Sequence, residues 1–196
     1  MSNTRMASLI LMLFVIVQVQ GTAQEPPLPY VDRGACPFEC CQYGDWVARR
    51  RVVVREFYDE HRPAVKLSRQ VSIIQAAGHV VAMTGVVVTT RAGRMPVLEP
   101  LSVSVYSKSF PTKPAETLKL AAGDILYKLH ESGEGAFVGW FKGRVLEEVD
   151  GSTFGSAVQQ EVGPQTEWWA QVRTHDGAFG WVRAEQNFDN QDRCGR

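Results

Sequence analysis

Trp168-Trp169-Ala170-Gln171-Val172-Arg173-Thr174-His175-Asp176-Gly177-Ala178-Phe179-Gly180-Trp181-Val182-Arg183 is the stretch that decides the fold. Aromatic and β-branched residues suit a pleated, half-buried surface, so Trp168 to Arg173 reads as a strand. Asp176-Gly177 supplies a turn, because Asp-Gly tolerates the positive φ values of a type I′ hairpin. Gly180-Trp181-Val182 is the return strand, and Gly180 lets a ring or a backbone approach closely. Strand alternation puts Trp168, Ala170 and Val172 on one face and Trp169, Gln171 and Arg173 on the other. Polar Gln171 and Arg173 mark the solvent side. Trp168 is therefore expected in the core and Trp169 exposed.

Working outward, the same pattern recurs. Val52–Val54, Val71–Gln75, His79–Met83, Gly85–Thr90, Ser102–Tyr106, Asp124–His130, Phe137–Phe141 and Arg144–Glu148 are short, rich in Val, Ile and aromatic residues, and punctuated by Gly and Pro. Strands of this length and spacing predict an all-β barrel or sandwich. Ser72-Ile73-Ile74-Gln75-Ala76-Ala77-Gly78-His79-Val80-Val81 parallels Thr117-Leu118-Lys119-Leu120-Ala121-Ala122-Gly123-Asp124-Ile125-Leu126. Both read as strand, Ala-Ala-Gly turn, strand, with Gly free to take φ > 0. The repeat predicts two related β units in tandem, residues 45–100 and 101–196, separated by the Pro96–Pro100 stretch.

The Trp-x-x-Val-Arg, Asp-Gly, Gly-Trp-Val arrangement resembles the bacterial SH3-like (SH3b) barrel. The Ala-Ala-Gly-Asp-Ile-Leu segment sits where that family has a Gly-Asp between early strands. The resemblance covers roughly residues 101–187, while 45–99 look like a divergent copy without the Trp pair. The loop from Gly151 to Gln165 is longer than the family pattern. The Cys-Pro-Phe-Glu-Cys-Cys run resembles uncharacterised exported bacterial proteins with SH3-like domains. What the resemblance implies is binding, of cell-wall peptides, glycans or protein partners.

At the other end, residues 1–23 read as a secretory signal peptide. Arg5 is the only charge before Glu25, Ala7–Val19 is almost wholly apolar, and Gly21-Thr22-Ala23 offers a cleavage site. The run falls short of the roughly 20 apolar residues that a membrane span needs, so no stable span is expected after cleavage. The protein is expected to be exported, periplasmic or secreted. Residues 24–44 form a leader with Pro26, Pro27 and Pro29 and three of the four cysteines. In an oxidising compartment Cys36, Cys40, Cys41 and Cys194 favour disulfides. Bridging the adjacent Cys40 and Cys41 distorts disulfide geometry. Two pairings stay open, both tying Cys194 to the leader through Cys40 or Cys41.

Charge and motifs exclude more than they assign. Lys plus Arg and Asp plus Glu both number 21, so no basic field points to nucleic acid. The first half is locally basic, with Arg49-Arg50-Arg51 a candidate for anionic polymer or a solvated strand edge. No nucleophile elbow or phosphate-binding loop is present. His61, His79, His130 and His175 are dispersed and predict no metal pair, and no cofactor is expected. Candidate ligand-binding residues are Trp169, Gln171 and Arg173, with Trp140, Tyr106 and Tyr127 behind them. Aromatic rings give large contact area and suit sugars and peptides, although they also fill small cores. The expectation is a non-enzymatic exported binding module for a cell-envelope component such as peptidoglycan. An envelope adaptor for a protein partner, or a thiol-based metal or redox protein, are the alternatives.

Overall fold

A computed structural model describes residues 24–58, 68–107 and 110–194. The expected signal peptide, residues 1–23, lies outside them. Strands in chain order are β1 (Tyr30–Arg33), β2 (Gly44–Ala48), β3 (Val52–Arg55), β4 (Gln70–Ile74), β5 (His79–Arg91), β6 (Gly93–Pro96) and β7 (Leu101–Ser107). They continue as β8 (Phe110–Leu120), β9 (Ile125–Gly133), β10 (Ala136–Phe141), β11 (Arg144–Asp150), β12 (Gln165–Thr174), β13 (Phe179–Arg183) and β14 (Phe188–Asp189). One 3₁₀ turn, Gly155–Ala157, is the sole helical element among the described residues. The all-β expectation holds, and no helix among the described residues is long and apolar enough to cross a membrane.

The strands form two antiparallel sheets. One runs β14-β2-β5-β12-β13-β3-β4, with β1 added beside β5; the other runs β6-β9-β10-β11-β7-β8. The two orders are the same. β2, β3, β4, β5, β12 and β13 occupy in the first sheet the places of β6, β7, β8, β9, β10 and β11 in the second. The flank repeats too: β14 pairs with β2, and Val158 and Val162 bridge to Val97 and Arg94 beside β6. The units are nested rather than sequential. Residues 93–162 make an inner unit, inserted between β5 and β12 of an outer unit. The division at residue 100 therefore does not follow the sheets. Alternation along a strand fixes its faces but carries no information on which distant edge it pairs with.

The internal repeat sits in the same place in both units, between β4 and β5 and between β8 and β9. Its register is one residue off the sequence match. Ala48 donates to Gly78 O and accepts from Ala77 N, as Val97 donates to Asp124 O and accepts from Gly123 N. Ala77 is thus the counterpart of Gly123, and both take positive φ, 61° and 89°. Gly78 does not, contrary to expectation. A Cβ in this left-handed region is unfavourable, whereas glycine adopts it freely. Ala77→Gly should stabilise the protein by about 0.5–1 kcal/mol in urea unfolding, the repeat itself showing the better residue.

The deciding hairpin also differs in its turn. Thr174 N donates to Ala178 O at 2.9 Å, Gly177 N to Thr174 O at 3.0 Å, and Gly177 has φ 84° while Asp176 stays outside the positive region. That is a three-residue loop closed by a left-handed glycine, not a type I′ turn. The I′ signature belongs to the inner unit, where Lys142 and Gly143 both have positive φ between paired Phe141 and Arg144.

Each unit has its own core. Trp46, Val54, Val80, Val87, Trp168, Ala170, Val172, Val182 and Phe188 pack in the outer one; Val103, Leu126, Phe137, Leu146 and Val149 in the inner one. Trp168 is core, as its alternation requires. His79–Met83 and Gly85–Thr90, expected as two strands, are one. Gly85 does not break β5; a Cβ there would stand 2.0 Å from the Tyr43 hydroxyl and 2.8 Å from Trp168 Nε1. Gly180 has the expected role, since its Cβ would lie 2.4 Å from Arg55 O. Cys36 pairs with Cys41 and Cys40 with Cys194, each with Cα atoms 5.5 Å apart. The chain ends are tied together, through Cys40.

Candidate functional site

Sheet register assembles one face of the outer unit residue by residue. Directly opposed residues in neighbouring strands share a face. Arg33, Val86, Trp169 and Arg183 therefore make one row across β1, β5, β12 and β13. Thr84, Gln171, Trp181 and Arg55 make the next, and Asp45, Val81, Arg173 and Phe179 the third. The three sequence candidates Trp169, Gln171 and Arg173 lie together here, interleaved with two further aromatics and three further arginines.

The exposure within this face is not as expected. Trp169 is only 5 % exposed. It packs with Val86 and Val88 under Tyr58 and Trp181, its Nε1 donates to Glu167, and Arg183 lies 5.9 Å over its ring. An indole on a sheet face too broad to be covered by its own strand neighbours draws in cover from other elements. Here Tyr58 crosses it and meets Trp181 edge-on at 4.8 Å. The open aromatic is Phe179, 52 % exposed, beside half-buried Trp181. Arg183 is held by Glu167 at 3.0 Å and Glu185 at 3.6 Å, and Arg55 donates to Ser68 O at 2.9 Å. Arg173 makes no hydrogen bond or ion pair among the described residues.

The third row ends in a hollow of about 390 Å³ lined by Asp45, His79, Val80, Val81, Arg173, Thr174, His175 and Gly177. His79 opens β5 and His175 opens the loop after β12, and the two line this one hollow. Thr174 is buried, and its hydroxyl donates to Asp176 and lies 3.0 Å from Ala178 O. That donation, with backbone N–H groups and the His175 charge, holds Asp176 below the usual carboxylate range. The two histidines were dispersed in sequence, and only strand pairing joins them. Their one sequence signal is that each flanks a turn.

The remaining candidates lie elsewhere. Trp140 and Tyr127 are opposed in β10 and β9 on the corresponding face of the inner unit, but both are buried. Tyr30 of the leader packs on that cluster, and Trp140 Nε1 donates to Gln24 O at 2.7 Å. The leader covers on the inner unit the row whose counterpart on the outer one, with Arg173 and Phe179, is exposed. Burial, with Asp32 and Glu147 adding, pushes the Tyr30 hydroxyl up to about 12.

Tyr106 is half-buried in an acidic groove of about 470 Å³ with Glu39, Ser132, Gly133, Glu134, Ala136, Glu148 and Asp150. The Glu39 carboxyl is raised by its hydrogen bond to Glu134 and by that group's charge. All four cysteines are paired, so the oxidised protein offers no thiolate for the metal or redox alternative; Cys40 and Cys194 beside Glu39 belong to a disulfide.

No family model, curated protein or solved structure matches the chain.

Proposed function

We propose that the protein is a non-enzymatic, exported binding module that recognises a cell-envelope component, such as peptidoglycan, through the open face of its outer unit. The observation that carries this reading is the arginine–aromatic face itself: exposed Phe179 and half-buried Trp181 beside Arg173 and Gln171, where the equivalent inner row is covered by the leader. Planar rings suit sugar faces and peptide prolines, and guanidinium groups suit their carboxylates. The shared strand order supports an SH3-like architecture for both units. The apolar segment at residues 7–19 and the two disulfides support export into an oxidising compartment.

Trp169 is unsuited to test the site because it is buried, and its removal would act through packing. The double variant Phe179→Ala/Trp181→Ala and the single variant Arg173→Gln are the informative ones. In sedimentation with isolated cell-wall sacculi, wild-type protein should pellet and the double variant should stay in solution, with far-UV circular dichroism unchanged. Binding that the aromatic variant keeps but about 0.5 M salt removes would shift the reading to charge attraction alone. No pelleting under any salt would end the wall-binding reading and favour a protein partner.

A further inference from the structure

We propose that the hollow at the end of this face is a phosphate-binding site, formed by Arg173, His79 and His175, whose grip tightens as pH falls. The inference rests on the reading of the outer face as the binding surface and names the chemistry that one end of it takes.

Arg173 projects between Val81 on β5 and Phe179 on β13. Its intramolecular options are poor. Asp45 shares its row, but Val81 stands between them, and two strand spacings come to about 9.5 Å. Asp176 is the other nearby acid and is engaged by the Thr174 hydroxyl. The guanidinium therefore keeps its donors for an outside acceptor. An Arg fork matches two oxygens of a phosphate, leaving the others to reach donors from another direction. The imidazoles of His79 and His175, which line the same hollow, supply that direction.

The groups facing these rings are Asp45 from β2, Arg173 from β12 and Asp176 from the β12–β13 loop. With neutral imidazoles one cation meets two carboxylates. With both rings protonated three cations meet two, and the hollow becomes net positive. Histidine is the side chain whose charge changes between about pH 5 and 8. A metal ion is the less suitable occupant, since the permanent charge of Arg173 repels it and no carboxylate joins the two rings within ligand reach among the described residues.

The test is an NMR titration of the purified oxidised full-length protein with inorganic phosphate, following the His79 and His175 imidazole signals at about pH 5.5 and about pH 7.5. Saturable shifts of both rings are expected; with dimethyl phosphate, whose single charge is the same at both pH values, affinity should be roughly tenfold higher at the lower pH. Arg173→Gln should abolish the shifts. Asp45→Asn should tighten binding at both pH values, which a merely structural residue would not do. His79→Gln/His175→Gln should remove the pH dependence. Acetate in place of phosphate, at equal ionic strength, separates a tetrahedral oxyanion from any carboxylate. A poly(glycerol phosphate) arm separates polymer-borne phosphate, which should bind more tightly through the adjoining aromatic face, from the free ion. Unshifted rings, equal shifts with acetate, or undiminished binding by Arg173→Gln would overturn the proposal. Phosphate binding without sacculus binding would instead remove the envelope reading and leave this site standing.

Discussion

Replacing Cys40 and Cys194 by serine is expected to lower the unfolding free energy by about 5 kcal/mol, and replacing Cys36 and Cys41 by only about 2 kcal/mol. The difference follows from loop length. The first bridge spans a sequence separation of 154 and the second only 5. In the chain-entropy account a cross-link acts on the unfolded ensemble, and a longer closed loop removes more of its freedom. A loss of about 5 kcal/mol is comparable to the whole stability of many domains. Urea unfolding of the two double-serine variants against wild type, without reductant, reads both values. A ranking in which the short bridge matters more would show that the leader loop, and not closure of the chain, is what the disulfides secure. A weaker C-terminal anchor should also release β14 first. Gln42 N donates to Gln191 O and Arg193 N to Cys40 O, bonds whose register the long bridge holds.

The second large effect is expected at the seam between the units. His130 and Asp32 are 3 % and 7 % exposed, with Nε2 and Oδ2 2.8 Å apart. His130 Nδ1 faces the Glu131 carbonyl at 2.7 Å and must donate to it, since a carbonyl only accepts. At least one proton then lies between ring and carboxylate. With Asp32 ionised, both ring nitrogens carry hydrogen and the contact is a buried ion pair. Asp32→Ala leaves a buried nitrogen or charge without its partner and should cost about 3–5 kcal/mol. Asp32→Asn can donate its amide to a neutral Nε2 while Nδ1 keeps its bond. Its cost should stay near 1 kcal/mol. Equal losses in the two variants, measured by denaturant unfolding, would refute the hydrogen-bond argument and leave shape alone as the cause. Thr89 Oγ1, donating to Leu129 O at 2.9 Å beside the same seam, is a second, uncharged tie between the units.

Much of the fold could be read before any coordinates. β3, β7, β10, β11, β12 and β13 coincide closely with segments chosen for alternation and β-branching. Of β8 only the end before the Ala-Ala-Gly turn, Thr117–Leu120, is legible, because Pro111 and Pro114 interrupt its first half; the prolines are tolerated in an edge strand, where one side of the ladder needs no donors. β1 and β2 were hidden by the short, cysteine-rich leader around them. The repeat was visible, but not its register, because composition aligned Gly78 with Gly123 while hydrogen bonding aligns Ala77 with it. The site was half legible. Alternation placed Trp169, Gln171 and Arg173 on one face. It could not tell that Tyr58 would cover the tryptophan, nor that Phe179 would be the ring left open. Those outcomes depend on contacts across tens of residues, to which periodicity is blind.

The nesting of one unit inside the other also orders events in time. β5 and β12 form the longest ladder of the outer unit, joining Thr89 to Thr166 across the whole inner segment. Closing so long a flexible loop is entropically costly when the intervening chain is unstructured. Once the inner sheet has formed, Arg94 and Val162 are bridged and the ends of the insert lie side by side. The effective loop then shrinks to a few residues, and the outer ladder can zip with little further loss. As the chain emerges from its N-terminus, β2 to β5 appear first yet must wait, half-paired, for strands made last. Their exposed edges during that interval are where aggregation has its opening.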